Sequence, residues 1–153
     1  MNLAGLLHVN INCSDFERSK AFYEKLGFRV LMPINQAEEG ALAAAVGMKN
    51  YRLRGALMRS RDGTIIDLLE WQQPRDVDPP YHSLNHLGLA RMAFVSTDLD
   101  ADIAALAEGG VTFLSDGPAT AGTPDGGVSR FICFEDPDGT VLELVEITPP
   151  DAG

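Results

Sequence analysis

The chain has 153 residues, of which 45% are hydrophobic, enough to bury an ordinary core without a framework of disulfides. A formal charge of -10, from 22 acids against 12 bases, sets up a field that repels phosphate backbones and anionic lipid, which argues against nucleic acid and membrane surfaces as partners. No basic region followed by an apolar segment precedes His8, and no apolar run reaches the roughly 18 residues of a membrane span, so the reading is a cytoplasmic protein whose mature form starts at Met1.

In chain order, LLHVNINC (6–13) is the first strand. Ser14 and Glu17 then have the spacing of a capping box, in which a hydroxyl and a carboxylate satisfy the orphan amides of a helix start. Phe16, Phe22, Tyr23 and Leu26 follow at helical spacing, Gly27 stops the helix, and a strand ends at Leu31. Residues 32–54, with Pro33 and an alanine-rich stretch, form a long excursion. GALMRS (55–60) and the run after Asp62-Gly63 read as two strands joined by a tight turn. The proline-rich segment 74–88 reads as a connector, with the boundary near 74–86.

The same pattern then recurs. A shift of 83 residues lays 6–31 over 89–114 without a gap, setting His8 on Arg91, Gly27 on Gly110 and Leu31 on Leu114. Thr97 and Asp100 repeat the capping-box spacing, and Leu99, Ile103 and Leu106 repeat the apolar face. A second shift, of 76 residues, lays DGTIIDLLE (62–70) over DGTVLELVE (138–146) with five of nine positions identical. RFICFE (130–135) precedes the second turn as GALMRS precedes the first. The chain is therefore expected to be α+β, two βαβββ modules spanning about 5–73 and 89–147, with a tail, TPPDAG, that frays. Cys13 and Cys133 fall in strand runs and read as reduced core residues.

Strand side chains alternate faces, so parity sorts them. Met92 and Phe94 suit the helix-covered side, which points Arg91, Ala93 and Val95 the other way, and the repeat carries His8 with Arg91. Glu143 shares a face with Val141 and Val145, and Asp67 is its copy; Glu70 and Glu146 belong to the opposite face. Two modules facing each other are then expected to place His8, Asp67, Arg91 and Glu143 around one concave surface. Tyr51, Trp71, Tyr81 and His86 are candidates for lining a ligand pocket, by stacking or from the connector.

LLHVNI followed by SDFERSKAFYEKLGF resembles the first strand and helix of the glyoxalase/bleomycin resistance/extradiol dioxygenase superfamily, the vicinal oxygen chelate fold, and FEDPDGTVLELVE resembles its closing hairpin. The resemblance spans nearly the whole chain. It implies a curved mixed sheet around a cleft and four cleft residues that bind a divalent metal in glyoxalase I, falling here on His8, Asp67, Arg91 and Glu143. Arginine has no lone pair to donate and stays protonated, so Arg91 cannot be a ligand. The expectation is that no cofactor is needed and that Arg91 replaces the metal as the fixed positive charge; a bound metal would instead fall to His8, Asp67 and Glu143. A set of His8, Glu70, His86 and Glu143 matches the ligand types better but breaks the repeat.

If the protein is an enzyme, the resemblance implies lyase, isomerase or epimerase chemistry on a small oxygenated molecule, with Glu143 or His8 as general base and Arg91 stabilising an enolate. The competing class is a binding protein similar to the bleomycin resistance proteins, which sequester a small molecule without turnover. A divalent-metal-dependent glyoxalase or epimerase is the third reading. The expected partners are a small-molecule ligand and a second copy of the chain in a homodimer.

Overall fold

The computed structural model describes residues 2–150; Met1 and residues 151–153, the end of the tail expected to fray, lie outside the described residues. The chain divides into two compact units, Met1–Asp78 and Pro79–Gly153, and the division falls inside the proline-rich connector. The first contains β1 (Val9–Asn12), α1 (Phe16–Lys25), β2 (Arg29–Glu39), α2 (Ala41–Ala45), β3 (Asn50–Arg59) and β4 (Ile65–Gln73). Its four-stranded sheet has the order β1-β4-β3-β2, with β1 parallel to β4 and the other pairs antiparallel. The second contains β5 (Met92–Val95), α3 (Leu99–Glu108), β6 (Ala119–Gly122), β7 (Val128–Glu135) and β8 (Val141–Thr148), in the order β5-β8-β7-β6 with β5 parallel to β8. Both are βαβββ modules with mixed sheets. Among the described residues no helix is long and apolar enough to cross a membrane.

One face of each sheet is closed by its helix. In the first unit Tyr23 of α1 is fully buried along with Met58, Ile66 and Leu68, and its ring meets Phe28 edge-on at 6.1 Å. In the second, Leu99 and Leu106 of α3 are buried with Phe134, Leu142 and Leu144. Each large side chain withdrawn from water in this way contributes about 1.5–3 kcal/mol. Gly55 is required by close approach within β3, since a Cβ there would lie 2.1 Å from the Leu68 carbonyl oxygen. The turns at Asp62-Gly63 and Asp138-Gly139 join β3 to β4 and β7 to β8, with both turn glycines at positive φ.

Several local expectations are corrected. The N-caps are Asp15 and Asp98, one residue after Ser14 and Thr97, and each accepts the amide three residues on, from Arg18 at 3.1 Å and Ala101 at 3.0 Å. A carboxylate at the cap position satisfies the orphan amide and meets the helix dipole, which a hydroxyl does less well. Residues 32–54 are mostly a long hairpin rather than an excursion, because β2 continues to Glu39 and pairs with β3 as far as Asn50, with α2 in the loop. The strand expected to end at Leu114 is reduced to a bridge from Phe113 to Phe134 and a Leu114 amide bond to Cys133. The fourth strand of that sheet, β6, lies later, at 119–122.

The repeat extends to the joint between helix and sheet. Glu70 on β4 accepts the Phe16 amide at the start of α1 at 2.9 Å and the Arg54 Nε at 2.8 Å. Glu146 on β8 accepts the Leu99 amide at the start of α3 at 3.3 Å and Arg130 at 3.1 Å. Each acid ties a helix N-terminus to the sheet beneath it and is held by an arginine on the adjacent strand. Arg130 has a second acid, Asp100, at 2.7 Å. Loss of either acid removes the acceptor of a helix amide, but Arg130 keeps Asp100 when Glu146 is lost, whereas Arg54 loses the carboxylate it is bonded to when Glu70 is lost. In urea unfolding, Glu70→Ala is expected to cost about 2–3 kcal/mol and Glu146→Ala about 1 kcal/mol; equal costs would contradict this account of the two joints.

Candidate functional site

The strand faces not covered by α1 and α3 carry the candidate residues, as parity requires. His8 stands one residue before β1 and Arg91 one residue before β5, the same place in each module. In the first unit Asn10, Asp67, Leu57 and Met32 form a row across the sheet, neighbour to neighbour. The Asn10 side chain donates to the Asp67 main-chain oxygen at 2.8 Å, fixing the strand beside the acid. His8 Nε2 lies 3.9 Å from Asp67 Oδ2, an ion-pair distance too long for a hydrogen bond. His8 Nδ1 and Asp67 Oδ1 are the buried side-chain atoms that lack a hydrogen-bond partner among the described residues. Burial pushes the Asp67 carboxyl above its usual range, and the neighbouring His8 opposes the shift only in part.

In the second unit the corresponding row is Ala93, Glu143 and Cys133. Arg91 Nε is 2.5 Å from Glu143 Oε2, and the Cys133 thiol donates to the same oxygen at 3.6 Å. Glu143 is buried while the Arg91 side chain is 44% exposed, so the acid is anchored in the sheet and the guanidinium reaches it from the rim. Burial, reinforced by the charge of Glu143, pushes the Cys133 thiol up, so it remains a neutral donor at physiological pH. Cys133 escaped the sequence reading, which counted both cysteines as core. The signal was present, since the shift of 76 residues lays Cys133 on Leu57, next to Asp67.

The aromatic candidates separate. Trp71 lines a cavity of about 430 Å3 in the first unit and donates from Nε1 to Asn12 Oδ1 at 2.8 Å, with the Tyr51 ring 5.4 Å away. Tyr81 has a structural contact, its hydroxyl oxygen accepting the Val141 amide at 2.5 Å and so holding the start of β8. His86 is exposed in the connector, with Nδ1 3.2 Å from the Leu87 carbonyl oxygen, and does not line that cavity. Glu70 is committed to the α1 joint, which takes it out of the alternative metal set.

A divalent ion is the cofactor that the family resemblance implies, and these residues do not fit it. Arg91 lacks a donor lone pair, and Glu143 Oε2 already holds the guanidinium. Among the described residues no group of three or more His, Cys, Asp or Glu side chains is arranged to hold a metal. What the second unit offers instead is a guanidinium fixed beside a carboxylate, suited to gripping a carbonyl or anionic oxygen.

Comparison with known proteins agrees with this architecture. The family model for the Glyoxalase/Bleomycin resistance protein/Dioxygenase superfamily matches residues 5–144. The uncharacterized protein YwkD of Bacillus subtilis (strain 168) is 34% identical over 151 residues, covering 95% of this chain and 99% of that protein. A glyoxalase family protein from Bacillus cereus shares the fold with a TM-score of 0.81 at 21% identity, over 96% of both chains. A glyoxalase family protein from Enterococcus faecalis has a TM-score of 0.60 at 28% identity, covering 95% of this chain and all 100% of that one. TnmS3, an antibiotic binding protein from Streptomyces sp. CB03234, has a TM-score of 0.56 at 25% identity, over 97% of this chain and 99% of that one. Two βαβββ modules, the matched model over nearly the full length and the likeness to YwkD lead to one conclusion: this chain belongs to the Glyoxalase/Bleomycin resistance protein/Dioxygenase superfamily.

Proposed function

We propose that the protein catalyses proton transfer next to a carbonyl in a small oxygenated metabolite, as a lyase, isomerase or epimerase that works without a metal. The observation that carries this reading is the Arg91–Glu143 pair at 2.5 Å, a permanent cation at the position where a metal is implied. Arg91 stabilises the negative charge that develops on the substrate oxygen as the adjacent C–H is deprotonated. Glu143 holds the guanidinium in place, and the Cys133 thiol donates to the same carboxylate oxygen.

That arrangement shifts the role of base toward His8. Glu143 Oε2 is occupied by the guanidinium and the Cys133 thiol, whereas His8 Nδ1 has no hydrogen-bond partner among the described residues. Asp67, 3.9 Å away, is the acid that supports the imidazolium. An alternative is binding without turnover, favoured by the likeness to TnmS3 and by the cavity beside Trp71. The protein is proposed to be cytoplasmic and to act as a homodimer.

The test is deuterium exchange followed by proton NMR, with a panel of small hydroxy-ketones, 2-oxo acids and 2-oxo aldehydes in D2O. The wild type is expected to speed loss of the C–H signal next to the carbonyl for at least one compound. His8→Ala and Arg91→Ala are each expected to lower that rate by about 100-fold or more. Compounds that bind to the wild type but never exchange would favour sequestration and overturn the catalytic reading.

Asp67 supplies a second prediction, of pH dependence. Its folded carboxyl titrates above its unfolded value, so the folded state binds more protons between the two, and stability is lost as pH rises through that window. At neutral pH the ionised Asp67 is a penalty, present for the sake of His8. Asp67→Asn is therefore expected to raise Tm at pH 7, with the gain shrinking toward about pH 4. A variant less stable than the wild type at pH 7 would show Asp67 to be a structural acid instead.

A further inference from the structure

The cavity in the first unit lies at the C-terminal ends of the parallel strands β1 and β4, and its volume of about 430 Å3 is that of a small-molecule site. His8, Asp67, Arg91 and Glu143 are not among its lining residues. Its lining includes Trp71, the single tryptophan of the chain, with Met48 and Pro74. The indole is held from two directions, by its hydrogen bond to Asn12 and by the Tyr51 ring inclined at 70° to it. A stacking surface that is already fixed loses little side-chain freedom when a ligand arrives.

The Trp71 bond also sets the polarity of the cavity. An indole N–H can only donate, so the Asn12 amide must turn its oxygen to Trp71, which leaves its NH2 group as a donor. Arg75 lines the same space; one of its terminal nitrogens bonds to the Ser14 carbonyl at 3.3 Å, and the guanidinium has further N–H groups to offer. Asp76 is the one acid of the lining, and its Oδ1 accepts the Asp78 amide at 3.0 Å. Two donor groups and one aromatic side chain thus belong to the same lining.

We infer that this cavity binds a planar aromatic molecule that carries an acceptor oxygen, a carbonyl, phenolate or carboxylate, with the ring stacked on Trp71 and the oxygen directed to Asn12 and Arg75. Stacking selects the flat ring, and the donors select the oxygen over an amine. The site does not depend on the proton-transfer chemistry proposed above, because none of its residues takes part in that chemistry.

The lone indole N–H gives a single resonance in 15N-labelled protein, which reports on the cavity without modification. Titration with 2-naphthoate is expected to move that resonance saturably, with a Kd below about 1 mM. Cyclohexanecarboxylate, which has the charge but not the flat ring, and 2-naphthylmethylamine, which has the ring but a cation for the oxygen, are each expected to bind at least about tenfold more weakly. Asn12 is exposed, so Asn12→Asp is a tolerable substitution, and replacing its donor by an acceptor is expected to weaken 2-naphthoate at least about tenfold. An indole resonance unmoved by 2-naphthoate up to about 10 mM would overturn the site. An amine that binds as tightly as the carboxylate, or an Asn12→Asp variant with unchanged affinity, would overturn the assignment of the ligand oxygen. Deuterium exchange at the substrate C–H, and its dependence on His8 and Arg91, can fail or succeed independently of either outcome.

Discussion

Glu143 lies in the middle of a sheet row, largely withdrawn from water, and a carboxylate in that position has to be neutralised or hydrogen-bonded. Here a single oxygen of it receives a guanidinium at 2.5 Å and a thiol at 3.6 Å. This contact governs the chemistry open to the second module. A guanidinium cannot lose its charge at any physiological pH, cannot be removed by a chelator and brings directed N–H groups in place of vacant coordination positions. The positive charge is thus a permanent part of the chain, and its position is set by where the sheet places Glu143.

The frame behind that contact is duplicated down to its joints. In each module one acid, Glu70 or Glu146, faces the helix and binds the first helical amide, while another three residues earlier, Asp67 or Glu143, faces away. A separation of three residues along a strand reverses the face, so one short segment supplies an acid to each side of the sheet. The two modules then diverge where they do not need to agree. The first keeps His8 and Leu57 around Asp67, whereas the second has Arg91 and Cys133 around Glu143.

Much of this was legible from residues alone because the repeat transferred each local assignment to a second place where it could be checked. Both ten-residue helices, both Asp-Gly turns and the face of each acid followed from spacing and parity. The N-caps were misplaced by one residue because Ser14 and Asp15, like Thr97 and Asp98, offer adjacent capping groups, and pattern does not decide which one bonds. The length of β2 was hidden by Pro33 and by the alanine run, although a proline on an edge strand breaks no ladder bond that faces solvent. Cys133 went unrecognised because burial and reduced state account for most cysteines, and its significance lies in a cross-strand neighbour rather than in its own surroundings.

Arg91 is proposed to stand in the functional place of a metal, and the metal content of the purified protein decides between the two. Protein purified without chelators or metal-affinity resin, then dialysed against zinc, nickel or manganese and analysed by plasma mass spectrometry, is expected to retain only substoichiometric amounts of each. Near-stoichiometric retention of one divalent metal, lost in both His8→Ala and Glu143→Ala, would overturn the role proposed for Arg91.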